Sequence, residues 1–230
     1  MSRSRLFVIA GGVLFMASLL YFAIAYATTF GELAAWTSAP DIWMPILIDV
    51  FLFTCFALHH SVFARTRFRA LVERLAPPGT ERAIYVWIAS LLFLGVSAAW
   101  LPVPGVFWRF TGAAGAVFVA IQLFGLALIA VAVRRLGVLT LAGLREPDPA
   151  APLADDGAYG LVRHPIYLGW FLLVWATPLM NGTRLVFAAV SCAYVLVAVI
   201  FEERDLRRTF GAAYDRYSQR VKSRVIPGVY

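Results

Sequence analysis

Charged residues and cysteines are scarce in this chain. Only 14% of its 230 residues are Asp, Glu, Lys or Arg, whereas 61% are hydrophobic. Soluble globular domains carry about 25% charged residues, so this composition argues against a soluble domain and predicts a membrane protein. The two cysteines, Cys55 and Cys192, lie inside apolar segments, and no Cys-x-x-Cys pair exists. Neither a zinc site nor a redox-active pair is therefore expected, and no metal site is predicted.

Six apolar stretches approach or reach the roughly 20 residues that a helix needs to cross a bilayer. They cover 6–28, 43–63, 84–101, 112–133, 166–180 and 184–201. The last two are short and form a helical hairpin. The predicted fold is therefore an all-α polytopic membrane bundle of about six segments, in a single domain over 1–230. The first stretch is too long for the apolar core of a signal peptide, and no small-residue cleavage site follows it, so we expect it to remain as a helix.

The 20 Lys and Arg residues outnumber the 13 Asp and Glu residues, and the resulting net charge of +7 raises the possibility of nucleic-acid binding. Their placement argues against it. With six crossings, every Lys and Arg except Arg109 and Arg184 falls on one side of the membrane. This is the positive-inside pattern, and it predicts that both termini are cytoplasmic and that the basic side faces anionic lipid headgroups. The expected partner is the lipid bilayer, not nucleic acid.

A polar cluster opens the last hairpin, and an acidic pair closes it. The opening stretch is Arg163–Tyr167, and the closing pair is Glu202 and Glu203. Ionisable groups at a membrane boundary are costly and indicate a functional site. Pro165 suits the first position of a helix, and the backbone N–H groups just before it are expected to be free to bind an anion. In the alternative interpretation, these residues only anchor the helix ends and pair with neighbouring arginines.

The chain after Glu203 repeats apolar side chains at helical spacing, with Arg and Asp between them. This pattern predicts an amphipathic helix over 202–222, lying along the cytoplasmic interface or folding back over the mouth of the bundle. Its apolar positions are Leu206, Phe210, Tyr214, Tyr217 and Val221.

The stretch from Asp156 to Gly169, together with Glu202–Leu206 and Phe210–Tyr217, resembles the isoprenylcysteine carboxyl methyltransferase superfamily. These are integral membrane enzymes that use S-adenosyl-L-methionine. The resemblance implies N-terminal helices in 1–133 and a cofactor-binding half in 134–230. It implies that cofactor contacts come from Gly157, Tyr159, Val162, His164, Pro165, Tyr167, Glu202, Tyr214 and Tyr217. Arg163 and Glu203 are candidate catalytic residues. Gly160 departs from the family, in which many members carry a larger or basic residue.

The N-terminal half narrows the resemblance. The stretches Leu58–Arg65 and Pro77–Tyr85 are similar to the bacterial methanethiol S-methyltransferase branch and its NnrU-like relatives. This branch implies a bacterial inner-membrane enzyme with a small or lipid-soluble acceptor, and a thiol is the best candidate. His60 is the candidate base for that acceptor. Two alternatives remain for His60, a hydrogen bond to a neighbouring helix and haem ligation.

Other functions stay open at this point. A phospholipid or isoprenylcysteine-type methyltransferase would share the cofactor half. A membrane reductase that uses a nicotinamide cofactor would share a similar bundle, and such reductases do not need the Gly-x-Gly-x-x-Gly motif that this chain lacks. A non-enzymatic NnrU-like membrane factor is the third alternative. The preferred prediction is an S-adenosyl-L-methionine-dependent membrane methyltransferase.

Overall fold

A computed structural model describes residues 3–34, 42–62, 72, 74–77, 80–146, 148 and 150–230. Several sequence features fall outside these ranges, among them Arg65, Arg67 and Arg69 of the basic loop, and Pro147 and Pro149. The described part is mostly helical. Its one sheet pairs two short strands, β1 (Val106–Arg109) and β2 (Leu179–Asn181). The predicted all-α membrane bundle is confirmed, with this sheet as a small addition.

The helices in chain order are α1 (Arg3–Ala27), α2 (Trp43–Val62), α3 (Glu81–Ala99), α4 (Gly112–Leu136), α5 (Val138–Leu141), α6 (Pro165–Trp175), α7 (Gly182–Phe210) and α8 (Ala212–Arg220). Two 3-10 turns cover Thr29–Gly31 and Gly157–Gly160. Helices α1 to α4 and α7 are long and apolar enough to cross a membrane. The chain is therefore an integral membrane protein.

The last two predicted segments differ from the expected bounds. Helix α6 has only 11 residues, which at 1.5 Å per residue gives about 17 Å and does not span a bilayer. Helix α7 runs for 29 residues, so Glu202 and Glu203 lie inside it and not beyond its end. The predicted amphipathic helix over 202–222 is divided at Gly211, whose φ of +51° favours glycine and ends α7.

The described residues group into two compact units. The first comprises Met1–Val106, Leu139–Glu146 and Asn181–Val186, and the second comprises Phe107–Val138, Pro147–Met180 and Phe187–Tyr230. Both units are assembled from separate stretches of chain.

Aromatic rings fill the core of the first unit, where α3 packs against α1 and α2. Phe22 lies 5.2 Å from Phe93 between ring centroids, and Phe30 stacks on Trp100 at 6.0 Å. Two buried polar side chains satisfy the backbone where α1 ends. Arg184 donates to the Tyr26 carbonyl at 2.7 Å, and Asn181 donates to the Phe30 carbonyl at 2.9 Å. These bonds hold the first turn of α7 and the residue before it against the end of α1.

The second unit is built on a close crossing of α4 and α6. Gly125 and Gly169 face each other there, and a Cβ atom added to Gly169 would stand 2.5 Å from the Gly125 carbonyl oxygen. Gln122 of α4 donates to the Leu173 carbonyl near the end of α6 at 2.7 Å. Trp170 of α6 donates to Ser191 of α7 at 3.1 Å. Small residues at such crossings let helix backbones approach closely in a membrane. The crossing sets the position of α6, whose first turn carries the candidate site.

Candidate functional site

Glu203 is the centre of a buried charge cluster in the second unit. Its Oε1 atom accepts a hydrogen bond from Arg163 Nε at 2.7 Å, and its Oε2 atom accepts one from Arg224 Nε at 3.0 Å. The side chains of Arg163 and Glu203 are each only 8% exposed. A buried carboxylate is tolerated when it is paired and hydrogen-bonded in this way. The two guanidinium groups therefore keep Glu203 charged and fixed.

The end of the chain occupies the donors that the sequence suggested were free. The N–H of Arg163 donates to the Ser223 carbonyl at 3.0 Å, and the N–H of His164 donates to the Arg224 carbonyl at 2.8 Å. Arg163 Nη1 donates to the Val221 carbonyl at 2.7 Å. The expectation that these N–H groups bind an anion is therefore wrong, because the tail supplies their acceptors. The side chain of Arg163 therefore already donates to protein acceptors, namely the Glu203 carboxylate and the Val221 carbonyl.

His164 lies between the two acidic residues. Its Nδ1 is 3.6 Å from Glu202 Oε2, and its Nε2 is 3.5 Å from Glu203 Oε1. Both distances exceed a normal hydrogen bond, although the imidazole is only 5% exposed. The ring stacks on Tyr167, whose hydroxyl donates to Glu202 Oε2 at 2.8 Å. One turn at the start of α6 thus brings an imidazole and a phenol against the acidic pair of α7.

A cavity of about 400 Å³ opens beside the loop that precedes α6. It is lined by Arg134 and Arg135 at the end of α4 and by Asp156–Tyr159. Arg135 donates to Asp156 at 2.7 Å, and this guanidinium lowers the pKa of the exposed carboxyl. Gly157 has a φ of +55°, and no atom lies within 4 Å of the position that a Cβ would take. The glycine is therefore needed for the turn, and it leaves open space on the cavity side.

Three buried tyrosines lie in this loop and in α8, and one of them bonds the two together. The hydroxyl of Tyr217 donates to the Tyr159 carbonyl at 2.8 Å. Burial raises the pKa of Tyr217 to about 12 and raises the pKa of Tyr159 and Tyr214 as well, with Glu202 adding to the shift at Tyr159 and Glu203 adding to that at Tyr214. All three phenols are therefore neutral near pH 7 and can donate hydrogen bonds. The hydroxyl of Tyr159 is buried and has no hydrogen-bond partner among the described residues. The hydroxyl of Tyr214 and the Nε2 of His164 are also buried and make no hydrogen bond of normal length there, although both interact with Glu203.

The sequence-predicted residues fall in two places. The second unit contains Arg163, Glu203 and all nine predicted cofactor contacts, with Val162 fully buried and Pro165 opening α6. Tyr214 and Tyr217 share an apolar cluster with Val221, Leu206 and Phe210, as their spacing predicted.

His60 lies in the first unit. Its Nδ1 is 2.9 Å from the hydroxyl of Tyr85, and its ring stacks on Phe56 at 5.4 Å. Tyr85 belongs to α3, so the alternative of a hydrogen bond to a neighbouring helix is what the structure contains.

Sequence reasoning missed Arg224 and Tyr85 as partners of site residues. Arg224 stands in a basic tail where nothing in the spacing distinguishes it from Lys222 or Arg220. Tyr85 belongs to the stretch Pro77–Tyr85 that carries the family resemblance. Its position four residues after Glu81, in the first turns of α3, was the available signal that it matters for the site.

Comparisons with known proteins show which family the chain belongs to. A family model described as phospholipid methyltransferase matches residues 110–213. The methanethiol S-methyltransferase of Crocosphaera subtropica is 38% identical over 185 residues, which cover 76% of this chain and 72% of that protein. The chain belongs to the methanethiol S-methyltransferase family. Methanethiol S-methyltransferase 2 of Bradyrhizobium diazoefficiens is 34% identical over 80% of this chain and 74% of its own length. The Mycobacterium tuberculosis methanethiol S-methyltransferase is 35% identical over 80% and 79%.

Membership of the methanethiol S-methyltransferase family makes this protein an enzyme and an integral membrane methyltransferase. The predicted superfamily and the predicted reaction class are thereby confirmed, and the alternatives of a membrane reductase and a non-enzymatic factor are set aside. No solved structure matches the chain. Among the described residues no group of three or more His, Cys, Asp or Glu side chains is placed to hold a metal ion.

Proposed function

We propose that this protein transfers the methyl group of S-adenosyl-L-methionine to a small thiol, with methanethiol as the leading acceptor. The observation that carries the donor site is the set of buried polar atoms of Tyr159, His164 and Tyr214 that make no hydrogen bond of normal length among the described residues. Buried polar groups of this kind call for an explanation, and a bound polar ligand supplies one. The acceptor rests on the names of relatives that cover more than three quarters of the chain.

The residues present fit the donor. The cavity of about 400 Å³ that Tyr159 lines together with Arg134 and Arg135 has a volume within the range of small-molecule sites, about 300–1,000 Å³. Neutral Tyr159 and Tyr214 can donate to the carboxylate or the ring nitrogens of the donor. Glu202, whose side chain is 45% exposed, can accept from its hydroxyl or ammonium groups. When bound, S-adenosyl-L-methionine supplies a methyl carbon on a sulfonium, and this carbon passes to the acceptor sulfur as the carbon–sulfonium bond breaks and a neutral thioether leaves.

The side chains of the protein must hold the donor and the acceptor in place and remove the proton of the acceptor thiol. Nε and Nη1 of Arg163 donate to Glu203 and to tail carbonyls, so we assign Arg163 and Glu203 the task of fixing His164 and the start of α6. Alignment and exclusion of water account for a large part of catalysis when the electrophile is already activated. The acceptor thiol must lose its proton to a base. We assign this task to His60, whose ring is oriented by the hydroxyl of Tyr85 at 2.9 Å.

The acceptor is tested with the purified protein in detergent and S-adenosyl-L-methionine that carries a labelled methyl group. Incubation with methanethiol is expected to yield labelled dimethyl sulfide in the headspace, and a matched panel of amines, carboxylates and phosphatidylethanolamine is expected to remain unlabelled. The family model called phospholipid methyltransferase matches only 110–213. This range supports a donor-binding half in common with phospholipid methyltransferases more than it supports a common methyl acceptor. Label in extracted lipid with none in the headspace would refute the thiol proposal.

We also propose that the protein resides in a bacterial inner membrane with both termini in the cytoplasm. The one-sided distribution of Lys and Arg supports this orientation, in which α6 and the residues that connect it to α7 together make the fifth of six crossings, although α6 alone is too short to span. The polar donor would then reach the second unit from the cytoplasm, while a volatile or lipid-soluble acceptor can enter from the bilayer.

A further inference from the structure

The two oxygens of Glu203 are divided between two arginines from different parts of the chain. Oε1 is 2.7 Å from Nε of Arg163, which immediately precedes His164, and it is also 3.5 Å from Nε2 of His164. Oε2 is 3.0 Å from Nε of Arg224, in the last ten residues of the chain. A carboxylate with one oxygen toward the site and the other held from behind cannot rotate freely. Arg224 is therefore placed to determine which oxygen Glu203 presents to His164.

The backbone of the same tail is bonded to the same two residues. Arg224 accepts from the N–H of His164, and Ser223 accepts from the N–H of Arg163. Arg163 also donates to the carbonyls of Val221 and Lys222 at 2.7 and 2.9 Å. Residues 221–224 thus contact both the side chain and the backbone of the dipeptide that opens α6. The side chain of Arg224 adds the one link from this tail to Glu203 that the described residues contain.

We propose that Arg224 is a positioning residue for the methyl-donor site. It holds Oε2 of Glu203, so that Oε1 stays between Arg163 and His164 and the imidazole keeps its place between Glu202 and Glu203. Arg224 touches neither donor nor acceptor in this role. Its loss lets Glu203 rotate and disorders His164, which weakens the donor affinity and leaves the acceptor KM unchanged. The proposal rests on the proposed function, in that the donor binds at this cluster.

A second contact of Arg224 provides a matched control. Its Nη1 donates to the hydroxyl of Tyr230 at 3.2 Å, and its guanidinium lies 5.1 Å from the centre of the Tyr230 ring. Tyr230→Phe removes the hydroxyl and retains the ring. This variant disturbs the far side of Arg224 without touching Glu203, so it separates anchoring of the tail from positioning of the carboxylate.

The experiment measures the affinity for S-adenosylhomocysteine, the demethylated donor, by calorimetry in detergent. Arg224→Ala is expected to bind about tenfold more weakly than the unaltered protein, within the range of couplings between residues of one charge network. Arg224→Lys is expected to recover part of the lost affinity. Tyr230→Phe is expected to show no loss of affinity. Glu203→Gln alone and combined with Arg224→Ala completes a double-mutant cycle. If Arg224 acts through Glu203, its removal has little further effect once Glu203 is neutral.

The outcomes separate this inference from the proposed function. An unaltered, folded protein that does not bind S-adenosylhomocysteine refutes the donor site itself. If the unaltered protein binds and Arg224→Ala binds equally well, the positioning role is refuted while the donor site stands. Additive losses in the cycle also overturn the inference, because they show that Arg224 acts without Glu203. Should Arg224→Ala not purify as a folded protein, Arg224→Gln is read against Arg224→Lys by the same criteria.

Discussion

Gly169→Ala tests whether the crossing of α4 and α6 positions the site. The new Cβ would stand 2.5 Å from the Gly125 carbonyl oxygen and 2.6 Å from Cγ1 of Ile129. Carbon atoms pack comfortably at about 3.5–4.0 Å, so the two helices must separate by about 1 Å. Overpacking of this kind costs about 1–3 kcal/mol. Because α6 carries His164 and Tyr167 at its start, the shift should also weaken binding of the donor.

Gly95→Ala is the matched control for this prediction. Gly95 lies within α3, and no atom is found within 4 Å of its Cβ position. Both substitutions gain the same helix preference, about 0.5–1 kcal/mol for alanine over glycine, so the difference between them isolates the clash. The assay is thermal unfolding in detergent followed by tryptophan fluorescence, together with titration of S-adenosylhomocysteine. If Gly169→Ala melts as high as Gly95→Ala and binds as tightly as the unaltered protein, the close crossing does not position the site.

Two further predictions concern the histidines and the topology. His164→Ala should weaken donor binding by about 1–3 kcal/mol, since it removes a buried polar group from the donor site, and equal calorimetric affinity in a folded variant would contradict this. His60→Ala should leave donor affinity nearly unchanged and lower turnover with the true acceptor, with Tyr85→Phe giving a smaller loss; full turnover would show that His60 is structural. Reporter fusions after Tyr230 and within 102–111 should report opposite compartments, and agreement between them would refute the orientation.

The sequence was sufficient for the membrane fold because apolar length and charge asymmetry are local properties. The same holds for the tail, where the spacing of Leu206, Phe210, Tyr214, Tyr217 and Val221 predicted the single apolar cluster that they form. The division of that tail was not predicted. The residues beside Gly211 in the sequence do not indicate a helix end, and only the positive φ of Gly211 shows that α7 stops there.

The partners within the site could not be predicted from the sequence. The N–H groups of Arg163 and His164 looked available, because Pro165 opens a helix and its preceding residues lack helical acceptors. Their acceptors, Ser223 and Arg224, lie about sixty residues later and reach the site only after the chain folds. Similarly, the sequence placed Arg163 near Glu203 but gave no sign that Arg224 holds the second oxygen. Pairings over such separations depend on tertiary packing, which has no local pattern. The division into a half over 1–133 and a cofactor half over 134–230 stays a prediction.

The buried hydroxyl of Tyr159 also bears on how long the protein survives in a cell. A buried hydroxyl without a hydrogen bond costs about 1–3 kcal/mol. A ligand that satisfies such groups stabilises the folded state by mass action, so idle molecules unfold more often than occupied ones. Quality-control proteases act on the unfolded fraction and therefore remove idle copies first. We expect the abundance of this enzyme to follow the supply of its methyl donor, without any separate regulator.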